Sequence, residues 1–300
     1  MSAVIVLKKL TKFYYRSKVA AIDDLSLSID KGEVYGFLGS NGAGKTTAIR
    51  LLLDFIRPTS GSAQIMGKDN IQNNVELKRS IGYLSGDVAL PKKVTGRQLL
   101  KYLSRLQGDV DETYLATLVD RFQVELDKRT ETLSKGNRQK IGLIQAFMHQ
   151  PKVLILDEPT SGLDPIMQDQ FYKTVEEAKA HGAAVFLSSH SFAEVERICD
   201  RVGIIRDGKL VHESPVAKVM KRLLPAWRIV LARASDVKSL EGSKALDVTA
   251  CIGDSVVVKP VKAISPALAA LSKFNIVSMT IEQDELEDEF MSFYDEENKV

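Results

Sequence analysis

Gly39-Ser40-Asn41-Gly42-Ala43-Gly44-Lys45-Thr46 reads G-x-x-x-x-G-K-T, and its reading decides the fold. The apolar run of residues 34–38 before it predicts a buried strand. Residues 47–55 after it place Ile49, Leu52 and Leu53 at helical spacing, with no breaker until Pro58. The glycines therefore lie between a strand and a helix, the context in which this pattern is a phosphate-binding loop. Glycine lets successive backbone N–H groups turn inward, and the helix N-terminus adds partial positive charge. Lys45 supplies a point charge for β- and γ-phosphates, and the Thr46 hydroxyl can ligate Mg²⁺. A glycine-rich turn that binds nothing would not need Lys-Thr in register with both flanks.

Working outward, the 300 residues predict one or two domains. The chain is 44% hydrophobic and 27% charged, the balance of an ordinary globular protein rather than a disordered one. Formal charge is +2 and the basic residues occur in short pairs such as Lys8-Lys9 and Lys92-Lys93. That argues against a nucleic-acid stripe. Two cysteines, Cys199 and Cys251, fit a reduced, cytoplasmic setting better than a disulfide scaffold. The first apolar run is too short for a secretion signal, and no stretch reaches the ~18 apolar residues of a membrane-spanning helix.

Strands are expected at residues 4–7 and 22–29, joined by a turn around Tyr14-Tyr15-Arg16, then at 63–66 and 81–84. From Gly86 to about Gln150 the pattern is helical. Leu99, Leu100, Leu103 and Leu106 form one apolar face, and Leu115, Leu118, Val119 and Phe122 another. Strands at 153–156, 183–187, 202–205 and 209–212 alternate with helices after Pro165 and at 192–199. This α/β order implies a largely parallel sheet with antiparallel pieces at the start. Beyond residue 220 the chain reads as a small α+β appendage. Its strands fall at 226–232, 247–251, 255–259 and 276–283, with a helix at 264–274 and an acidic helix at 284–294.

A second signal is Leu154-Ile155-Leu156-Asp157-Glu158-Pro159. An apolar strand ending in carboxylates delivers charge to the sheet edge beside the phosphate loop. Asp157 can hold Mg²⁺, directly or through water, and Glu158 can accept a proton from an attacking water. A third signal is Leu133-Ser134-Lys135-Gly136-Asn137-Arg138-Gln139, where Ser134 and the Gly136 amide at a helix start make an anion site. Ser134 can equally act there as a plain helix cap.

These segments, with Ser161-Gly162-Leu163-Asp164 and Ser188-Ser189-His190, resemble the nucleotide-binding subunit of an ABC transporter over residues 4–215. The resemblance implies a P-loop NTPase core with a helical subdomain at about 86–150, within a first domain at 1–220. A small accessory domain at 221–300 follows. It implies ATP and Mg²⁺ as ligands. Gly39, Ser40, Asn41, Gly42, Ala43, Gly44, Lys45, Thr46 and Thr47 hold the phosphates. Thr46 and Asp157 hold the metal, while Lys45, Glu158 and His190 serve hydrolysis. Ser134 and Gly136 would bind the γ-phosphate of ATP held by a second copy. Here Lys135 and Asn137 replace the small residue and the Gln of the common L-S-G-G-Q. Ser161–Asp164 resembles the loop that joins two ATP sites; Asp164 can also serve as a helix cap. Tyr14 resembles the aromatic that stacks on adenine, with Tyr15 its rival and Val19 nearby. After the strand at 81–84 the family places a Gln or Glu near Mg²⁺. Gly86 stands there, followed by Asp87, and the role is assigned to neither.

The run Leu286-Glu287-Asp288-Glu289-Phe290 is similar to the tail of ABC subunits of drug- and antibiotic-export systems. The implied protein is an ATPase on the cytoplasmic face of a membrane. Its partners are a second, identical ATP-binding subunit and a separate transmembrane permease subunit, without nucleic acid. The rivals are a soluble ABC ATPase acting on nucleic acid or ribosomes, and a regulatory subunit that binds ATP without cleaving it. The first usually carries long insertions or two cassettes, and Glu158 with His190 disfavours the second.

Overall fold

Strand β1 (Ala3–Phe13) pairs antiparallel with β2 (Ala20–Asp30) in a computed structural model that describes residues 3–108, 110–220, 226–261 and 263–281. β1 runs well past the expected residue 7. Lys9 adopts φ 48 and the register shifts between Leu7 and Leu10, so a bulge returns Leu10 to the core despite the interrupting lysines. The turn at Tyr14–Arg16 is present: Ser17 N–H donates to Tyr14 O at 3.0 Å, with Arg16 at φ 63.

In order follow β3 (Val34–Leu38), α1 (Lys45–Leu52), β4 (Ser60–Ile65), β5 (Lys68–Asp69), α2 (Asn74–Lys78) and β6 (Ile81–Leu84). Next come α3 (Gly96–Gln107), α4 (Glu112–Phe122), α5 (Lys135–Phe147), β7 (Val153–Asp157), α6 (Pro165–Ala180), β8 (Ala184–Ser189) and α7 (Phe192–Ile198). β9 (Arg201–Arg206), β10 (Lys209–Pro215) and α8 (Val216–Met220) follow. Helix α1 starts two residues before the predicted residue 47, because Gly44 caps it inside the loop; the left-handed Asp54, at φ 57, follows its end.

Two sheets build the first of two compact units, Met1–Val216. One is antiparallel, in the order β2-β1-β4-β5; the other has the order β10-β9-β3-β8-β7-β6. In the second, β9, β3, β8, β7 and β6 are parallel and only β10 is antiparallel. Strands β3 and β7 are buried at every residue, as parallel strands covered on both faces must be. One core joins the sheets: Ile5, Leu7, Ile22 and Leu25 pack in the same cluster as Phe37, Ile155, Phe186 and Ile49 of α1. This is a P-loop NTPase fold, and it brings the ends of β3, β7 and β8 side by side.

Helices α3, α4 and α5 occupy the expected helical stretch. Thr95 and Gln98 form a capping box at α3, and Asp111 caps α4. Leu99 and Leu100 are buried, but Leu106 is exposed; it lies at the last turn, ahead of Gly108, and does not join the predicted face. Arg121 of α4 grips Glu177 of α6 through two hydrogen bonds of 2.7 and 2.8 Å.

The second unit, Ala217–Val300, begins upstream of the 220/221 boundary expected from sequence. It contains β11 (Trp227–Leu231), α9 (Val237–Glu241), β12 (Leu246–Ile252), β13 (Ser255–Pro260), α10 (Ile264–Leu271) and β14 (Ile276–Ile281). The sheet order is β12-β13-β11-β14, antiparallel throughout. Trp227, Ile229, Val256, Val258, Leu240 and Leu271 share its core. The expected acidic helix at 284–294 and the run Leu286–Phe290 lie outside the described residues.

Candidate functional site

The loop after β3 takes its shape from close approach. A Cβ on Gly39 would meet Ile205 O at 2.5 Å, and Gly44 adopts φ 114 with Ala21 O at 2.7 Å from an added Cβ. Only glycine allows both. No side chain caps α1 at Gly44, so its first amides have no side-chain partner. Lys45 is buried and spans the loop, donating from Nζ to Gly39 O at 2.6 Å and Ser40 O at 3.2 Å. Burial lowers its pKa, opposed by the Glu158 and Asp157 carboxylates.

The carboxylates arrive from the end of β7. Thr46 Oγ1 donates to Asp157 Oδ2 at 2.9 Å, and Ser188 Oγ donates to Asp157 Oδ1 at 2.5 Å. Glu158 follows at φ 46, a conformation that costs about 1–3 kcal/mol for a non-glycine residue. Hydrogen bonds hold it there. Its N–H donates to Ser188 O at 3.1 Å, and its carbonyl accepts from Ser161 N–H at 3.2 Å and Gln139 Nε2 at 3.4 Å. The turned backbone aims the side chain between an ammonium and an imidazole: Oε1 lies 3.6 Å from Lys45 Nζ, and Oε2 lies 3.4 Å from His190 Nδ1.

The alternation of β8 explains how two adjacent serines serve different neighbours. Ser188 faces Asp157, and Ser189 faces α7, where its Oγ donates to Glu194 Oε2 at 2.5 Å. Ser189 O also accepts the Gly39 N–H at 3.2 Å, tying the histidine segment to the phosphate loop. Sequence reasoning gives no role to either serine, to Glu194 or to Gln139. The serines enter it only as neighbours of His190; the place of Ser188 beside Asp157 comes from the pairing of β7 with β8, which the sequence does not show.

Tyr14 stands at the loop's far end. Its Oη lies 3.4 Å from Thr47 Oγ1, and it is 42% exposed against 88% for Tyr15. Tyr15 instead carries the Arg16 guanidinium over its ring at 5.1 Å.

Ser134 and Gly136 form a separate group. Ser134 Oγ accepts from Asn137 N–H at 3.2 Å and caps α5. A Cβ on Gly136 would lie 2.8 Å from Gly162 O, and Lys135 Nζ donates to Ser161 Oγ at 3.0 Å. Among the described residues no hydrogen bond or ion pair joins Ser134 or Gly136 to the loop of Gly39–Thr47. Asp164 caps α6 through Met167 N–H at 3.0 Å, with Pro165 at its first turn.

The donor set fits Mg²⁺. A hydroxyl and a carboxylate in contact are hard oxygen ligands, and Mg²⁺ binds through one or two carboxylates plus phosphates and water. A Cβ on Gly86 would lie 3.6 Å from Asp157 Oδ2, so a glycine leaves this flank without a side chain. Asp87 is exposed, and its carbonyl accepts from Ser85 Oγ at 2.5 Å.

Residues 22–161 match the ABC transporter family model. The bacitracin transport ATP-binding protein BcrA of Bacillus licheniformis is 38% identical over 225 residues, covering 74% of this chain and 73% of that protein. The chain belongs to the ATP-binding proteins of ABC transporters. As a member of the family it binds ATP and is an ATPase. The solved structure of an ATP-binding subunit of an ABC transporter superposes with TM-score 0.67 at 27% identity, over 73% of this chain and 92% of the other. A dimeric ATP-binding cassette in a post-hydrolysis state, MJ0796 bound to ADP and Pi, shares the fold. Its TM-score is 0.65 at 19% identity, over 71% of this chain and 98% of that one. No helix among the described residues is long and apolar enough to cross a membrane.

Proposed function

We propose that this ABC ATPase drives export through a separate membrane-spanning subunit, by ATP-dependent closure of two copies of the chain. The contact of Glu158 with both Lys45 and His190 carries the reading. A carboxylate held between the Lys45 ammonium and the His190 imidazole, beside a phosphate loop, is placed to take a proton from water. The water oxygen attacks the γ-phosphorus and the bond to the β–γ bridging oxygen breaks. ADP and phosphate leave, and the proton resides on the Glu158 carboxyl. Lys45 and the α1 amides hold the phosphate oxygens, and His190 holds the water and γ-phosphate in line. Tyr14 offers its ring to adenine. Thr46 and Asp157 would hold Mg²⁺, which when bound neutralises charge on the phosphates.

Ser134 and Gly136 lie in a group of their own at the start of α5, where Gly136 and Lys135 approach the loop at Ser161–Gly162, and in this reading each site draws them from the second copy. ATP bridges the two, and losing the γ-phosphate removes the bridge. The export direction rests on the relative named for bacitracin transport and on the likeness of residues 286–290 to exporter tails. The accessory unit is proposed as a domain of its own, and the chain as a cytoplasmic-face subunit.

The test is Glu158→Gln, which keeps ATP binding and removes the base. Loaded with ATP, it should elute as a dimer, return to a monomer on nucleotide removal, and co-purify with membranes carrying a multi-spanning partner. A variant that stays monomeric with ATP, alone and with that partner, defeats the proposal.

A further inference from the structure

One carboxyl near the site has no part in the chemistry above. Glu194, in the first turn of α7, is 5% exposed. Its Oε2 accepts the Ser189 hydroxyl at 2.5 Å, while its Oε1 is buried with no hydrogen-bond partner. The Thr160 hydroxyl, in the loop after Glu158, faces the same carboxyl. A half-paired buried carboxyl is unfavourable, and packing alone could be met by an apolar side chain of similar volume.

Ser189 is the junction through which this carboxyl can act. Its Oγ receives the Ser191 N–H at 3.0 Å and its carbonyl receives the Gly39 N–H at 3.2 Å. It is also bonded directly to His190. The side chain that fixes Ser189 therefore fixes where β8 releases the imidazole.

We propose that Glu194 is a positioning residue for ATP hydrolysis: by holding Ser189 Oγ it sets the exit of β8 and places His190 against Glu158. This deepens the site reading given above and rests on it. The titratable groups facing Glu194 are Glu158 at the end of β7, His190 after β8, Tyr172 on α6 and Cys199 after α7. Burial pushes the carboxyl up to about 7, opposed by Ser189, Thr160 and His190. In its neutral form it accepts the serine without adding a second negative charge beside Glu158.

The experiment measures kcat and KM for ATP between about pH 6 and pH 9 in the wild type, Glu194→Ala, Glu194→Gln and Ser189→Ala, with Glu158→Gln alongside. Glu194→Ala should lower kcat about tenfold or more with KM within about twofold, as expected when a catalytic group is displaced while substrate binding is left intact. Glu194→Gln keeps an oxygen for Ser189 and should recover to within about threefold of the wild type. It should also remove an inflection of kcat near neutral pH. Wild-type kcat in both Glu194 variants overturns the proposal, and so does a raised KM at constant kcat. Should Glu194→Ala fail to fold, Glu194→Gln and Ser189→Ala decide: Ser189→Ala must lower kcat at constant KM, and unchanged kcat overturns the role. Normal turnover in Glu158→Gln would instead overturn the site reading beneath it.

Discussion

His190 Nδ1 lies 3.4 Å from Glu158 Oε2, although the two residues follow different strands of the parallel sheet. One carboxylate thus has the imidazole on one oxygen and Lys45 Nζ, 3.6 Å away, on the other. If the pair acts on one water, their losses cannot add. Glu158→Gln and His190→Ala should each lower kcat by about 10²–10⁴, the range for a lost general base or its orienting partner. The double variant should lose scarcely more than the worse single. Losses that multiply in steady-state assays would show independent roles.

The metal side of the site makes a different prediction. Gly86 does not adopt positive φ, and an added Cβ would make ordinary van der Waals contact with Asp157, at 3.5 Å from its O and 3.6 Å from Oδ2. Glutamine therefore fits at 86 without displacing backbone, and its amide oxygen can reach the flank of Asp157. Gly86→Gln should tighten Mn²⁺ binding to the ADP-loaded protein by about 3- to 10-fold, the scale of a supporting polar group at a metal site. Electron paramagnetic resonance of free Mn²⁺ reads this without turnover. Unchanged affinity would place the metal elsewhere than beside Asp157.

Much of this site is legible in the amino-acid string alone, and the reason is geometric. In a parallel sheet the strands are continuous apolar runs, so the polar residues that stop each run mark the edge where ligands bind. Leu154–Glu158 and Leu187–His190 both carry that mark. What stays hidden depends on neighbours remote in sequence. Nothing in the string says that Ser188 serves Asp157 while Ser189 serves Glu194. Nor does a glutamate in a short helix declare itself buried, since it reads as a solvated first turn. The length of β1 is hidden because its lysines break the alternation and a bulge at Lys9 restores it.

Strand β6 sets a stability test. A Cβ on Gly82 would lie 2.1 Å from Ala146 O and 2.8 Å from both Leu154 Cδ2 and Pro151 Cγ. Backbone of α5 must move to admit even one methyl group. Gly82→Ala should destabilise the protein by about 1–3 kcal/mol, the usual cost of overpacking a close-packed interior. For a unit of this size that is a fall in Tm of roughly 2–4 °C per kcal/mol. Calorimetry showing no change would mean that α5 yields freely against β6.

Glu194 sets a pH test of stability. Its carboxyl is raised from an ordinary value of 4.5 to about 7 by burial. Between those values the folded protein holds a proton that the unfolded chain has released. The contribution of this one group to stability is therefore fully present below about pH 4.5 and is lost as pH rises towards 7, by on the order of 3 kcal/mol at ~1.4 kcal/mol per unit. Glu194→Gln has no proton to lose. Its Tm relative to the wild type should climb between about pH 5 and pH 8 and then level off. A difference that stays flat with pH would show Glu194 ionised throughout.

The second unit carries the only tryptophan of the chain, Trp227, and it is buried. It sits on β11, which pairs with both β13 and β14, and shares a core with Ile229, Leu240, Val256, Val258 and Leu271. Those partners all lie within Ala217–Val300. A fragment of that span should therefore form its own core, though its size places it among domains of modest stability. Its tryptophan emission should be blue-shifted and move red in one cooperative step on adding urea. Val256→Asp puts an unpaired charge into the same cluster and should abolish the step. Red-shifted emission from the unmodified fragment in buffer would deny it independent folding, and with it the reading of the accessory segment as a domain.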